Sequence, residues 1–289
     1  MPARRALSAP ADSAHFVRFA QPELELLHAR FYTHRFASHA HDSWAIGAVI
    51  RGAKDTSAHA GKPMQVAQGE LYALAPHVAH AGRSLGAQGC EYVMIYVPDT
   101  QWRTQCALHG VSPHLLDTPL RQRRLVAEFA HFAARALAQP QAIQAYAGEW
   151  TLFCERVLGA LSPSAARLTN LSAQPAAFAA DPRVRRIGDY LHTHAARNVS
   201  LDELASEASL SVSELCRRFS AAYGLSPHRY QLVLRLRDAK RLLLGGAAPS
   251  EAALATGFAD QSHLGRHFKA MFGVTPGSLA GARGSARTF

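Results

Sequence analysis

The chain has 289 residues, 48% of them hydrophobic, which is enough for two domains with buried cores. Its net charge of +10 suggests a polyanionic partner, and 27 of its 31 basic residues are arginine, whose planar guanidinium suits bidentate contacts. No run of about 18 apolar residues is present, which excludes a membrane-spanning helix and gives no reason to expect a membrane partner.

The N-terminus and the cysteines indicate the cellular compartment. The first residues, MPARRALSAPADSAHF, lack the apolar stretch that a signal peptide needs. Cys90, Cys106, Cys154 and Cys216 are scattered, without CxxC or zinc-finger spacing. We therefore expect a protein of the reducing cytoplasm.

Residues 22–98 alternate short apolar segments with turn residues. The segments are LELLHARFYTH, SWAIGAVIRG, MQVAQGELYALAP and CEYVMIYVP. Glycine and proline separate them, and Gly82, Gly86 and Gly89 are expected to lie in turns. Many short strands with regular turns are typical of a sandwich or a small barrel.

The apolar period then changes to that of a helix. Residues 119–138 and 141–161 space their apolar residues three and four apart, and Pro140 separates them. This pattern predicts an antiparallel helix pair. The pair has more apolar residues than one barrel needs to bury, so we expect it to form a homodimer interface.

A segment rich in serine, alanine and proline follows, and the chain then becomes almost wholly helical. We expect a first domain at 1–165, a linker at 166–180 and a second domain at 181–289. The second domain holds 15 Lys+Arg and 9 Asp+Glu, so it carries +6 of the net charge.

The second domain contains an internal repeat. LCRRFSAAYGLSP at 215–227 matches LGRHFKAMFGVTP at 264–276, with an offset of 49 residues. Each copy resembles a helix-turn-helix unit, and SLDE at 200–203 and SVSE at 211–214 predict capping boxes at two helix starts. The segment 226–246 predicts a helix of about 27 Å between the copies.

The predicted second helix of each unit has one apolar and one polar face. In the second unit the apolar residues are Leu264, Phe268, Met271 and Phe272, and the opposite face carries Ser262, Arg266 and Lys269. The polar residues at matching places in the first unit are Ser213, Arg217 and Ser220. A single polar face is more often simply solvated. The repetition in a basic domain instead indicates contact with double-stranded DNA.

These features resemble the DNA-binding domain of AraC/XylS-type transcriptional regulators, over residues 181–280. GFADQSHLGRHFKAMFGVTP at 257–276 is similar to the signature of that family. The resemblance implies seven helices and two helix-turn-helix units joined by a long helix. It also implies base-facing positions at Ser213, Cys216, Arg217, Gln261, Ser262, Gly265 and Arg266. Cys216 and Gly265 depart from this pattern because neither side chain reads bases well.

Residues 22–100 resemble the cupin-type sensor domain that often precedes such a DNA-binding domain. SHAHDSWAIGAVIRG is similar to its first half, and GELYALAPHVAHAG to its second. The resemblance implies a β-barrel pocket for a small-molecule effector, followed by helices that dimerise. The overall fold class is then α+β. The residues expected to bind the effector are His39, His41, Trp44, Tyr72, His80 and Tyr92.

The histidines leave an enzymatic alternative open. His39, His41 and His80 are similar to the metal-binding histidines of enzymatic cupins, but HDSWAIG lacks the glutamate that those enzymes usually add. We therefore expect no metal, no cofactor and no catalytic residue. The alternative is a metal-dependent cupin enzyme with an accessory DNA-binding domain. A DNA-repair alkyl acceptor is disfavoured because it would need a cluster of zinc-bound cysteines.

The sequence thus predicts a sequence-specific DNA-binding transcriptional regulator that responds to a small molecule. Its expected partners are double-stranded DNA, the effector and a second copy of the chain, and an activator of this kind would also contact RNA polymerase. The identity of the effector, the operator sequence and the choice between activation and repression stay open.

Overall fold

The structure, a computed structural model, describes residues 11–20, 23–57, 63–109, 119–139, 143–165 and 181–281. An antiparallel sheet domain of the cupin-like type comes first, and an all-helical domain follows it, so the predicted α+β class is confirmed. The expected linker, 166–180, lies outside the described residues.

One antiparallel sheet of eight strands forms the first domain. The strands are β1 Ser13–Ala20, β2 Glu23–Phe31, β3 Arg35–His39, β4 Ser43–Ser57, β5 Pro63–Ala67, β6 Glu70–Leu74, β7 His80–Pro98 and β8 Leu120–Arg121. Their order is β1-β2-β7-β4-β6-β8, with β3 paired to β7 and β5 paired to β4.

Two strands are much longer than the sequence pattern predicts. β4 has 15 residues and β7 has 19, and β7 runs through Gly82, Gly86 and Gly89, which were expected to lie in turns. Gly86 and Gly89 have φ of +76° and +70° and lie where the pairing of β4 with β7 jumps from Cys90 to Leu85. These two glycines mark an irregularity inside a paired strand rather than its end.

The alternation of β4 divides the first domain into two cores. Ala45 and Val49 face the interior of the sheet, together with residues of the helical domain. Trp44, Ile46 and Ala48 face the other way, against three helices. These helices are α1 Asp99–Leu108, α2 Arg123–Ala138 and α3 Ile143–Ala165.

The predicted helix pair corresponds to α2 and α3, and α1 was not foreseen. Most apolar residues of the pair that the structure describes pack against the sheet within the same chain, among them Phe129, Trp150 and Leu158. The surplus of apolar surface that suggested a dimer interface is therefore largely absent from the described side chains. Leu152 on α3, 53% exposed, is an exception.

Seven helices form the described part of the second domain, as the resemblance implies. They are α4 Pro182–Thr193, α5 Leu201–Ala208, α6 Val212–Tyr223, α7 Pro227–Gly245, α8 Pro249–Ala255, α9 Gln261–Phe272 and α10 Pro276–Gly281. The pairs α5–α6 and α8–α9 are the two helix-turn-helix units, and α7 lies between them.

The helix starts agree only in part with the predicted capping boxes. The Ser200 and Ser211 hydroxyls accept the backbone N–H groups of Glu203 and Glu214, as expected. The reciprocal bonds from the two glutamates to the cap residues are not among the described hydrogen bonds. The Glu203 carboxylate instead binds Arg197, and Glu214 binds Arg217 at 2.8 Å. An arginine is the stronger partner because its hydrogen bond to a carboxylate is charge-assisted.

Arg235, in the middle of α7, joins the two helix-turn-helix units. Its Nε donates to the Ala195 carbonyl at 2.7 Å, and its Nη2 donates to the Arg197 carbonyl at 2.9 Å, both in the loop before α5. Its Nη1 donates to the Gly257 carbonyl at 2.9 Å, in the turn between α8 and α9. One guanidinium therefore holds both units against the same helix.

The second domain packs against the interior core of the first. Phe272 of α9 contacts Phe16 of β1 edge to face, with ring centroids 6.3 Å apart. From α7, Arg237 forms an ion pair with Asp42 at 2.5 Å, and Lys240 forms one with Glu25. The end of the second unit's recognition helix thus rests on the sheet domain.

The close approach at the end of α9 predicts a specific loss of stability in Gly273→Ala. Gly273 has φ of +77°, and an added Cβ would lie 2.3 Å from Phe31 Cε1. Gly86 is a matched control, with φ of +76° and open space around an added Cβ. We expect Gly86→Ala to cost about 1 kcal/mol from backbone strain alone.

Gly273→Ala should cost about 1–3 kcal/mol more, because Phe31 must move or α9 must leave the sheet. Thermal unfolding followed by calorimetry measures both variants. Equal losses would mean that α9 does not rest on Phe31 in solution.

Candidate functional site

The residues predicted to contact DNA lie on the outward faces of α6 and α9. On α6, Ser213 and Arg217 are exposed, whereas Cys216 and Ser220 are half-buried. On α9, Gly265 is half-buried, and the exposed residues are Gln261, Ser262, Arg266 and Lys269. The opposite faces bury Leu215 and Phe219 on α6 and Leu264, Phe268, Met271 and Phe272 on α9. The predicted polarity of both helices is therefore present.

The two matching arginines differ in their surroundings. Arg217 is held by Glu214 through Nη2, at 2.8 and 2.9 Å from the two carboxylate oxygens. Arg266 and Lys269 form no ion pair with an acidic residue in the described part of the chain. Arg217 must therefore leave Glu214 to reach a base, whereas Arg266 is already free to do so.

A neighbouring arginine, Arg218, has a structural role, because it links two helices. It joins Glu214 to Asp181, with Nη1 at 2.9 Å from Asp181 Oδ2. Arg183 and Arg218 together lower the pKa of Asp181 to about 2. Because Asp181 also caps α4, this network ties α4 to the first recognition helix.

A small cavity lies inside the sheet domain, at the contact with α9. Its volume is about 40 Å³. Its described lining consists of Phe16, Leu27, Phe36, His39, His41, Lys54, Thr56, Leu74, His80, Ala81, Gly82, Tyr92, Met94, Tyr96, Met271 and Phe272. The last two belong to α9, so a helix predicted to contact DNA also closes the cavity.

Four of the six residues predicted to bind an effector line this cavity: His39, His41, His80 and Tyr92. Tyr72 is fully buried beside it and accepts a hydrogen bond from Lys54 Nζ at 3.0 Å. The assignment of Trp44 is wrong. Its side chain lies on the opposite face of the sheet, where its indole N–H donates to Asp99 Oδ1 at 2.8 Å.

Lys54 is the cavity residue that the sequence analysis missed. The pairing of β4 with β7 skips Ile50, between Val49 and Arg51. Before this bulge, odd-numbered residues such as Val49 face the interior. The bulge reverses this alternation, so the even-numbered Lys54 and Thr56 face the cavity after it. Sequence alternation alone cannot locate a bulge, and it therefore could not assign Lys54 to the interior.

Lys54 provides a positive charge in an otherwise apolar and aromatic space. Its Nζ lies 4.2 Å from the centroid of the Tyr92 ring, a favourable cation–π geometry. Burial lowers the pKa of Lys54 to about 8, so the amine is still mainly protonated at neutral pH. The described lining contains no carboxylate to neutralise it.

The three histidines predicted from the two cupin-like motifs come together at one end of the cavity. Their ring centroids form a nearly equilateral triangle, with sides of 4.4 Å for His39–His80, 4.9 Å for His41–His80 and 5.0 Å for His39–His41. Burial lowers the pKa of all three imidazoles, that of His39 to about 4. All three rings are therefore neutral at pH 7.

A larger cleft of about 380 Å³ separates parts of the two domains beside the cavity. His41, Tyr96 and Phe272 line both spaces. The cleft is strongly polar, and its charged lining includes Asp42 and Arg237. His41 of the histidine cluster thus lies where the small cavity meets the larger cleft.

No helix in the described ranges is both long and apolar enough to cross a membrane. All four cysteines are free thiols.

Two family models match the chain. The AraC-like ligand binding domain matches residues 21–145, and a helix-turn-helix domain matches residues 204–281. Together they cover the histidine cluster, both recognition helices and every residue of the cavity lining except Phe16. Their order along the chain is a sensor domain followed by a DNA-binding domain.

Curated relatives are described as helix-turn-helix transcriptional regulators. The HTH-type transcriptional regulator YbfI of Bacillus subtilis (strain 168) is 27% identical over 233 residues, which are 80% of this chain and 82% of that protein. The transcriptional activator RhaS of Escherichia fergusonii is 33% identical over 104 residues. That match spans 36% of this chain and only 37% of RhaS.

Solved structures share the fold over both domains. ToxT from Vibrio cholerae O395 superposes with a TM-score of 0.59 at 13% identity, over 94% of this chain and 98% of ToxT. At that identity the likeness establishes the fold alone. The two family models and the curated relatives show that the chain belongs to the AraC family of transcriptional regulators, with a ligand-binding domain followed by a helix-turn-helix domain.

Proposed function

We propose that this regulator reads specific DNA through α6 and α9, and that a small molecule in the sheet domain controls this binding. Residues 1–165 would act as the effector module, 166–180 as the linker and 181–289 as the DNA-binding module. The observation that carries the proposal is that α9 takes part in two sites, the DNA-facing surface and the cavity. Arg266 faces outward, whereas Met271 and Phe272 close the cavity.

The size of the cavity gives this coupling a physical basis. Small-molecule pockets usually measure about 300–1,000 Å³. The cavity of about 40 Å³ is far smaller, and Met271 and Phe272 of α9 form part of its wall. A larger effector would have to displace these side chains or extend into the neighbouring cleft, and either change would act on α9. The effector and the docked position of α9 are thereby linked.

The lining of the cavity favours an apolar monocarboxylic acid as the effector. Aromatic and aliphatic side chains surround a single buried ammonium, that of Lys54, which has no carboxylate partner in the described lining. A ligand carboxylate would supply that partner. ToxT, which shares the fold at 12% identity, has been solved with an unsaturated fatty acid bound. The proposal for this chain depends on Lys54.

A thermal-shift series tests the effector class. We expect aliphatic or aromatic monocarboxylates to raise the melting temperature, and the matching alcohols to have little effect. At about 100 times the Kd, a ligand that binds only the folded protein adds about 2.7 kcal/mol of stability.

The control is Lys54→Met, which keeps the length of the side chain and removes the charge. It should abolish the response to acids. Equal shifts with acids and alcohols, or an unchanged response in Lys54→Met, would contradict the proposed class.

Two substitutions on α9 test how the protein reads DNA. Both side chains are exposed and neither is needed for the buried face of the helix. Arg266 lies one turn inside α9, where recognition helices touch base edges, and we expect Arg266→Ala to cost about 1–3 kcal/mol on the operator and to relax choice at one base pair. Lys269 lies further along, and its counterpart on α6 is the neutral Ser220.

Lys269→Ala should weaken binding to all sequences alike and reduce the salt slope by about one. The measurement is affinity for a selected operator and for random DNA at several salt concentrations. If Arg266→Ala lost affinity equally on both DNAs while Lys269→Ala lost it only on the operator, the two roles would be reversed.

We also propose that the protein acts as a homodimer. The support comes from α1 and α3, two helices in contact, which expose Leu108 and Leu152 at 73% and 53% accessibility. Light scattering at micromolar concentration should give a dimer, and Leu152→Glu should shift it to a monomer. Leu254→Glu, at a leucine of α8 that is 72% accessible, is the control and should leave the dimer intact. A wild-type monomer with and without DNA would contradict the proposal.

The remaining assignments follow from this role. We propose a cytoplasmic regulator without enzymatic activity, which would contact RNA polymerase if it activates transcription. The enzymatic alternative has less support, because HDSWAIG lacks the glutamate that enzymatic cupins usually add after their paired histidines.

A further inference from the structure

The histidine cluster has the geometry of a set of ligands for one ion. His39 and His80 pair directly across β3 and β7, and His41 lies two residues after His39. Each of the three side chains offers one ring nitrogen, and these nitrogens lie within 4.8 Å of one another. The cluster comprises residues from two strands and one loop, and its first and last members, His39 and His80, are 41 positions apart along the chain.

Hydrogen bonds fix which ring nitrogens of His39 and His80 are free to bind an ion. The His39 Nδ1 lies 2.7 Å from the Ala37 carbonyl, and the His80 Nδ1 lies 2.9 Å from the Val78 carbonyl. A carbonyl oxygen only accepts hydrogen bonds, so both Nδ1 atoms must carry the proton. Each neutral ring then keeps the lone pair on Nε2. A backbone carbonyl bound to the other ring nitrogen is the usual way in which proteins orient a metal-binding histidine.

The cluster needs only a small contraction to bind an ion. An ion equidistant from three nitrogens 4.8 Å apart would lie about 2.8 Å from each, whereas a zinc–nitrogen bond measures about 2.0–2.1 Å. Each side chain would therefore move by less than about 1 Å, which is within the reach of small rotations of the imidazole side chains.

The missing glutamate predicted no metal, but this geometry favours one: we propose that His39, His41 and His80 bind a divalent transition metal ion through three imidazole nitrogens. No acidic side chain belongs to the cluster among the described residues, so at least one coordination position is left to solvent or to a ligand. Asp42, the nearest carboxylate in sequence, is engaged by Arg237. Three imidazoles select Zn²⁺, Co²⁺, Ni²⁺, Cu²⁺ or Fe²⁺ over Mg²⁺ and Ca²⁺, which prefer oxygen ligands.

The open position has two neighbours with different chemistry. On one side lies the cavity with Lys54, and on the other lies the polar cleft, which His41 also lines. The cleft provides a path by which an aqueous ion reaches the cluster. The ion and Lys54 would both attract an anion, but the metal site depends only on the three histidines and stands independently of the effector proposed above.

Cobalt binding to the full-length protein tests the proposal. The protein is freed of metal with a chelator and titrated with CoCl₂, and the visible absorption of the Co²⁺ ion reports its coordination. We expect one tight site per chain, and competition by ZnCl₂. His80→Gln and His41→Gln should each weaken binding by about 100-fold or more, since even loss of an outer partner of a ligand costs 10–100-fold.

His28→Gln is the matched control. His28 lies on β2 beside Glu91, with the residues on either side of it, Leu27 and Ala29, in the interior core, so it faces away from the cavity. Its substitution should leave cobalt binding unchanged. Circular dichroism confirms that each variant is folded, and His41 is only half-buried, so its replacement is the milder change.

An X-ray absorption spectrum of the cobalt-loaded wild-type protein provides a readout without any variant. We expect three imidazole ligands. Fewer than three, or no tight site, would overturn the proposal. It would also be overturned if His80→Gln and His41→Gln bound cobalt as well as the wild type, because the ion would then occupy surface histidines.

Discussion

The contact between the end of α9 and the interior of the sheet domain is the interaction on which the other features of the protein depend. It fixes both the wall of the cavity and the position of the second recognition helix. Phe272 packs against Phe16, and the ammonium of Lys240 lies 4.7 and 4.9 Å from the centroids of these two rings. The same ammonium forms the ion pair with Glu25. Apolar packing and a shielded charge pair therefore hold α9 at the mouth of the cavity. If this contact is lost, the cavity opens and the recognition helix is released.

α7 extends this contact to the rest of the DNA-binding domain. Arg237 and Lys240 bind the sheet domain, whereas Arg235 binds the loop before α5 and the turn before α9. One helix therefore supports the sensor on one side and both helix-turn-helix units on the other. A shift of α7 would move the two recognition helices together, since three carbonyls share a single guanidinium. This arrangement suits a regulator in which one binding event must affect two DNA contacts.

Sequence analysis succeeded for features set by residues close together along the chain and failed for features set by distant ones. The buried and exposed faces of α6 and α9, their polar caps and the position of α7 were all predicted, because periodicity and caps depend on residues a few positions apart. Strand lengths were wrong for β4 and β7, since glycines at positive φ mark bulges as well as turns. Trp44 was assigned to the wrong face of the sheet. Lys54 was missed because it follows a bulge. The bulge at Ile50 reverses the alternation of β4, and only its pairing with β7 reveals that bulge.

By itself, the sequence determined the class of the fold, the duplicated helix-turn-helix and the residues that face outward on its recognition helices. The three histidines were also identified from it, but not their relation to one another. The tertiary structure decided that His80 lies opposite His39, that Lys54 enters the cavity and that Met271 and Phe272 close it. The physical reason is distance along the chain. Strand register and contacts such as Glu25–Lys240, which join residues 215 positions apart, arise only when separate segments pack together.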